Sequence, residues 1–350
     1  FKIIAAFLVV AIHTSPLASF SEDADFILTR IIARCAVPFF LMVTGYFILP
    51  KYLFERRITS QPIGVQGSFN KPQDLYVLFR FIKKNVILYI VAVILYLPIN
   101  FYAGHFKGVK VGGILRMLVF DGTFYHLWYL PASVLGVLIV FLLGRRLKFK
   151  TCFYICLLLY FIGLAGDSYY GLIMKIPYAA YVYDIMFRIF SYTRNGIFYA
   201  PIFLVLGAYI SRLVLNERAL GIKRTDNAVC FVISLLIMTV EGLILHHFNL
   251  QRHDSMYIAL PVCMYFLFRT ILDMQRKAAV WTAIGTWHKN LSMLIYIIHP
   301  LMIIVIRGIA KFTELERLLV DNSIVHYIGV CALSCAVAMV IEKVYYKFHK

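Results

Sequence analysis

The stretch FKIIAAFLVVAIHTSPL is apolar except at its two ends, where Lys2 and His13 stand. Nothing in such a run needs a histidine for packing. An imidazole titrates near neutral pH and so can act as a general acid or base, whereas an ammonium attracts anions. The spacing of Lys2 and His13 is close to three turns of an α-helix, so both project from one face. Arg30 and Arg34 follow in the next apolar run, at the i, i+4 spacing that again shares a face. A charge at mid-bilayer costs roughly 2.5–3.5 kcal/mol on insertion scales. Hence a histidine and two arginines at similar depth must face protein or a water-filled cavity. A structural pairing, such as Arg34 with backbone carbonyls near Pro38, accounts for one such group. Three at one depth favour a functional site.

Other polar groups fall beside apolar runs on the same side as His13. FDGTFYHLWYLPA (120–132) holds Asp121 and His126, and DIMFRIFSYTRNGIFYAP (184–201) holds Tyr192, Arg194 and Asn195. HDSM (253–256) holds His253 and Asp254, and SMLIYIIHPLM holds His299 with Pro300 behind it. Singly, each reads as interfacial or structural; their common side is the informative feature. The seven cysteines lie in apolar runs without zinc-like spacing to histidine, so neither a metal site nor a disulfide framework is expected.

The elements that must position these groups are membrane helices. The chain is 62% hydrophobic and only 15% charged, with a mean hydropathy of +0.81. A soluble domain carries about a quarter charged residues. The expected fold class is all-α integral membrane, a bundle of about ten transmembrane helices. The expected spans are roughly 1–17, 25–49, 85–104, 127–143, 151–169, 195–213, 228–248, 256–273, 289–309 and 324–345. Pro131 predicts a kink or late start in the fourth. The stretches 110–126 and 172–192 read as interfacial helices or loops. With residue 1 on the inside, the inner segments carry more than twice the lysines and arginines of the outer ones, so both termini are expected in the cytoplasm. ASFSEDA reads as an acidic outer loop, and 51–84, rich in Gly, Pro, Ser and Gln, as a mobile cytoplasmic loop. The rest reads as one polytopic domain. The net charge of +18 is spread between apolar runs, with no basic domain, so no nucleic-acid partner is expected.

FKIIAAFLVVAIHTSP, VPFFLMVTGYFI, HLWYLPA and IYIIHPLM, in that order, resemble the successive motifs of the acyltransferase-3 family. The likeness runs from residue 1 to about 305. It implies a ten-span acyltransferase of the bacterial plasma membrane that acylates surface sugars or other acceptors. The family's first-span motif is Arg, ten residues, then a catalytic His; here it reads Lys2, ten residues, His13. Lysine lacks the bidentate fork of arginine. The family's Ser-Gly after a paired Phe is Thr44-Gly45, and Arg34 matches the second-span arginine loosely. More narrowly, FDGTFYHLWYLPAS, YTRNGIFYAPIFLVLGAYI and HDSMY resemble the membrane domain of the membrane-bound serine racemases of vancomycin resistance. There a cytoplasmic racemase domain follows the last span. No soluble domain is read within these 350 residues, and no racemase activity is expected of them.

Two functions follow. In the first, His13 is general base on an outer hydroxyl or amine, assisted by Lys2. The donor of the acyl group, which is not an amino-acyl group, is by resemblance acyl-coenzyme A, a co-substrate; no tightly bound cofactor is expected. Arg30 or Arg34 would stabilise the oxyanion or hold an anionic acceptor. In the second, the membrane domain takes up L-serine or delivers it to a racemase domain. The arginines would hold the substrate carboxylate and Asp121 or Asp254 its ammonium. A degenerate site in a membrane anchor is the third possibility. His126, Arg194, Asn195 and His299 complete the candidate binding residues.

Overall fold

The computed structural model describes residues 1–54, 72–220, 226–277 and 290–348. Every regular element among the described residues is helical. The helices are α1 (Lys2–Thr14), α2 (Glu22–Ile48), α3 (Pro50–Phe54), α4 (Pro72–Tyr102), α5 (Val111–Arg116), α6 (Tyr129–Arg146) and α7 (Phe149–Ala165). They continue with α8 (Tyr170–Ile173), α9 (Pro177–Ile189), α10 (Ala200–Leu220), α11 (Asn227–His247), α12 (Leu260–Lys277), α13 (Leu291–Phe312) and α14 (Ser323–Phe348). Long apolar runs become helices because a lipid environment offers the backbone no outside partners, so its hydrogen bonds must close within each segment.

Each expected span coincides with a helix. Seven, namely α2, α4, α6, α10, α11, α13 and α14, are long and apolar enough to cross a membrane. The apolar helices α1 and α7 are shorter, and α12 carries Arg269 and Asp273. Two sequence expectations shift, and a third resolves to one of its two alternatives. The third span starts not at 85 but at Pro72, so 72–84 of the expected 51–84 loop is helix, as is Pro50–Phe54. Residues 55–71 of that loop lie outside the described residues. Part of the expected outer loop ASFSEDA is the start of α2: the Ala24 N–H donates to Ser21 Oγ at 3.2 Å, a helix N-cap. Pro131 produces a late start, not a kink. It sits in the first turn of α6, where a backbone N–H would have no intrahelical acceptor, so its missing donor costs nothing.

The chain divides into two compact units. The first comprises Phe1–Phe39, Asn227–Ile244 and Val262–Lys350. In it α13 packs along α14, and α1 packs against both and against the 27–35 part of α2. Ala5, Ala6, Val9 and Val10 are the buried face of α1; small side chains there let the helices approach closely. Apolar Val232, Leu236 and Val240 of α11 are exposed, as a lipid-facing surface requires.

The second unit comprises Phe40–Asp226 and Leu245–Pro261. Here α10 packs against α6 and α7, and α4 against α6. The end of α2 crosses α10 at two glycines: a Cβ on Gly45 would collide with the Leu204 carbonyl, and one on Gly207 with the Met42 carbonyl. The Thr44-Gly45 motif thus has a packing reason.

Candidate functional site

His13 lies in the last turn of α1, half-buried. Ser15 follows in the left-handed region, φ 48°, and ends the helix. The chain beyond is fastened on two sides. The Leu17 N–H donates to Asp25 Oδ1 at 2.9 Å, and the Ser323 hydroxyl donates to the Pro16 carbonyl at 2.7 Å. The Ser19 and Ser323 hydroxyls meet at 2.7 Å. Asp25, at the start of α2, also anchors Thr29, whose hydroxyl donates to the Asp25 carbonyl at 2.7 Å. These contacts fix the end of α1, and with it the backbone that carries His13. Sequence reading placed Asp25 in no role; the serine-acid pattern of a helix start was its available signal.

The ring of His13 stacks on that of His299, with centroids 5.3 Å apart and planes at 22°. His299 is fully buried in α13. Its Nδ1 lies 3.1 Å from the Ile295 carbonyl. A carbonyl only accepts, so Nδ1 carries the hydrogen of this contact. Pro300, the next residue, has no N–H to give and loosens the local helix ladder. The sequence put both histidines on one side; the structure puts them in one stack.

The two arginines part company. Arg34 is buried, but Arg30 is exposed, against the expectation that both face one cavity with His13. The reason is local. Between them α2 passes from a π-helical turn, Ile27–Ile31, into a 3₁₀ turn, Ile32–Cys35. The i, i+4 rule assumes uninterrupted α geometry, and neither turn keeps it. Lys2 is exposed at the far end of α1, about 16 Å along the axis from His13 at 1.5 Å per residue. Lys2 and His13 therefore cannot act on the same reacting atom.

In the second unit, Arg194 is the best-placed cation. Its guanidinium lies over Tyr192 at 4.6 Å and Trp128 at 5.5 Å, and Nη1 donates to Ser255 Oγ at 3.2 Å. The Tyr192 ring also meets the His253 ring at 4.6 Å. Beneath this group Asp167, fully buried, accepts from the N–H groups of Ser255 and Met256 at 2.7 and 3.0 Å and from the Ser168 hydroxyl at 3.0 Å. Asp167 holds the HDSM segment in shape. Sequence reading missed it because one Asp in a turn after an apolar run gives no distinct signal.

Other expected binding residues serve the scaffold. Asp121 accepts from the Ser191 N–H at 3.0 Å and pairs with Arg116 at 3.3 Å. Asn195 caps a turn: its Oδ1 accepts from the N–H groups of Ile197 and Phe198, and its Nδ2 donates to the Tyr192 carbonyl. His126 is buried among the rings of Tyr96, Phe124 and Tyr125. Asp254 is half-buried in the loop before α12. Tyr183 of α9 donates to the Ile162 carbonyl at 2.6 Å, and burial pushes its phenol up to about 12. No group of three or more His, Cys, Asp or Glu arranged for a metal occurs among the described residues.

Comparison with known proteins adds to this geometry. Residues 1–343 match the family model described as an acyltransferase domain. An amino-acid racemase of Enterococcus faecalis is 40% identical over 97% of this chain and 44% of its own length. A second amino-acid racemase of that organism is 34% identical over 97% of this chain and 45% of its own. A serine/alanine racemase of Enterococcus gallinarum is 35% identical over 95% of this chain and 44% of its own. The chain thus spans less than half the length of these curated relatives. No solved structure matches it.

Proposed function

Since this chain belongs to the acyltransferase-3 family of membrane proteins, we propose that it transfers an acyl group to a hydroxyl or amine, with His13 as general base. The observation that carries the reading is the His13–His299 stack at the fastened end of α1. His13 takes the proton of the acceptor as its oxygen or nitrogen attacks the carbonyl of the acyl donor. The tetrahedral intermediate collapses, the carbon–sulfur bond of a thioester breaks, and the thiolate leaves and takes a proton. An imidazole suits both proton transfers. His299 shields one face of the His13 ring. Arg34, in the part of α2 that packs against α1, is the candidate for the oxyanion; Arg269 of α12 is a second buried cation of the same unit. Arg30, exposed, is left outside this role.

Acyl-coenzyme A is the proposed donor, approaching from the cytoplasm. The separation of Lys2 from His13 suits a long donor, with Lys2 on an anionic end and His13 at the reacting end. The proposed topology is ten spans in the bacterial plasma membrane with both termini inside; the distribution of lysine and arginine between loops supports it. The test is acyl transfer from a labelled donor by the purified, reconstituted chain. His13→Gln should lower transfer by about a hundredfold or more while folding and insertion persist. Undiminished transfer by His13→Gln removes His13 as the base.

A second reading, handling of L-serine, rests on a separate observation. Arg194 is held by Trp128 and Tyr192 with its fork anchored through Ser255, a geometry suited to a carboxylate. The racemase names of the relatives support it. Asp254, next to Ser255 in the HDSM segment, is then the ammonium partner nearest in sequence to the Arg194 anchor. Saturable binding of labelled L-serine, lost in Arg194→Lys, would support it; no binding by the intact chain would end it.

A further inference from the structure

We propose that a basic cleft in the second unit holds the phosphate headgroup of an anionic phospholipid. The cleft, of about 800 Å³, lies between the end of α3, the α6–α7 corner and α10. Arg146, Lys148, Lys150 and Arg212 line it, and none of the described residues lining it is acidic. Four like charges around one hollow repel one another, and an anion at their centre relieves that repulsion.

The wall between the cations is aromatic and ordered. The Arg212 guanidinium lies over the Phe54 ring at 5.8 Å, Phe54 meets Phe149 at 4.7 Å, and Phe149 stacks on Tyr209 at 5.6 Å. One cation is therefore held in place before any ligand arrives. The first turn of α7 also opens here. Its N-cap, Lys148, makes no side-chain cap, so the first N–H groups of a seventeen-residue helix add positive potential.

Position selects lipid over a free phosphate. Leu147 and Lys148 alone join α6 to α7, and both helices are apolar for most of their length. The corner is thus level with the edge of the apolar layer, where phospholipid phosphates lie. Cations beside aromatic and aliphatic side chains match a molecule that is charged at one end and apolar at the other. Basic pockets between membrane helices recognise anionic headgroups in this way. The inference is independent of the acyl-transfer reading, since none of these residues belongs to the first unit.

The test titrates the purified full chain, in neutral detergent, with short-chain phosphatidylglycerol, phosphatidylcholine or pyrophosphate, and counts bound molecules by native mass spectrometry. Phosphatidylglycerol should bind and phosphatidylcholine should not. Lys148→Gln and Lys150→Gln should each weaken phosphatidylglycerol binding about fivefold, and the double variant by the product of the two. Both side chains are exposed, so the variants should fold. Arg80→Gln with Lys83→Gln, exposed on α4 and outside the cleft, should bind as the parent does. Equal binding of both lipids, or full binding by the double variant, overturns the proposal. Pyrophosphate that displaces phosphatidylglycerol at equal concentration also overturns it, and assigns the cleft to soluble phosphates.

Discussion

The rings of His13 and His299 lie 5.3 Å apart at 22°, although α1 and α13 come from opposite ends of the chain. The Ile295 carbonyl fixes the tautomer of His299 and its ring orientation, and that ring backs His13. If His299 works through its nitrogens, His299→Phe keeps ring and volume but lowers acyl transfer about tenfold or more. The double variant with His13→Gln should then be little slower than His13→Gln alone, as expected of residues acting as a unit. Rate constants of the four proteins on one donor decide it; independent, multiplying losses would contradict the pairing.

Arg34 and Arg30 should behave differently. Arg34→Gln removes a buried cation, and if that cation stabilises an oxyanion, kcat falls about 10²–10³-fold. Arg30→Gln should leave both kcat and stability close to the parent, as exposed substitutions do. Equal losses in the two variants would show that burial is not what separates them.

Gly45→Ala should be costly. The added methyl meets backbone at the Leu204 carbonyl, not a side chain that can turn away. Overpacking of this kind costs roughly 1–3 kcal/mol. A lowered midpoint of thermal unfolding in detergent checks it, and an unchanged midpoint would mean that α2 and α10 separate freely there.

Asp167→Ala removes the acceptor of two backbone N–H groups and one hydroxyl in the buried HDSM corner. Hydrogen bonds to a charged group are worth about 1.5–3 kcal/mol each, so unfolding should come markedly earlier. Because Ser255 also receives Arg194, L-serine binding, where present, should weaken in parallel. Stability lost without any change in binding would confine Asp167 to the scaffold.

The topology is checked by thiol labelling in intact cells. A cysteine replacing Lys148 should resist an impermeant reagent until the membrane is opened, and one replacing Phe20 should react at once. The reverse pattern would invert the proposed orientation.

The helices and their positions were legible in the sequence, because apolar runs in lipid have one way to satisfy their backbone. The family was legible too, since its motifs recur in order along the chain. The prominence of His13 followed from a rule as local as these: a polar group in an apolar run needs a reason. What the sequence did not contain was its neighbour. His299 stacks on His13 through packing of α1 on α13, which no local spacing encodes. The i, i+4 spacing of Arg30 and Arg34 suggested one face, and two non-α turns separated them. Asp121 and Asn195 looked like binding groups until backbone N–H donors claimed them. Composition and periodicity record how each segment meets lipid. Which side chains meet each other depends on how helices pack, and a polar group is committed to scaffold or left for ligand only at that stage.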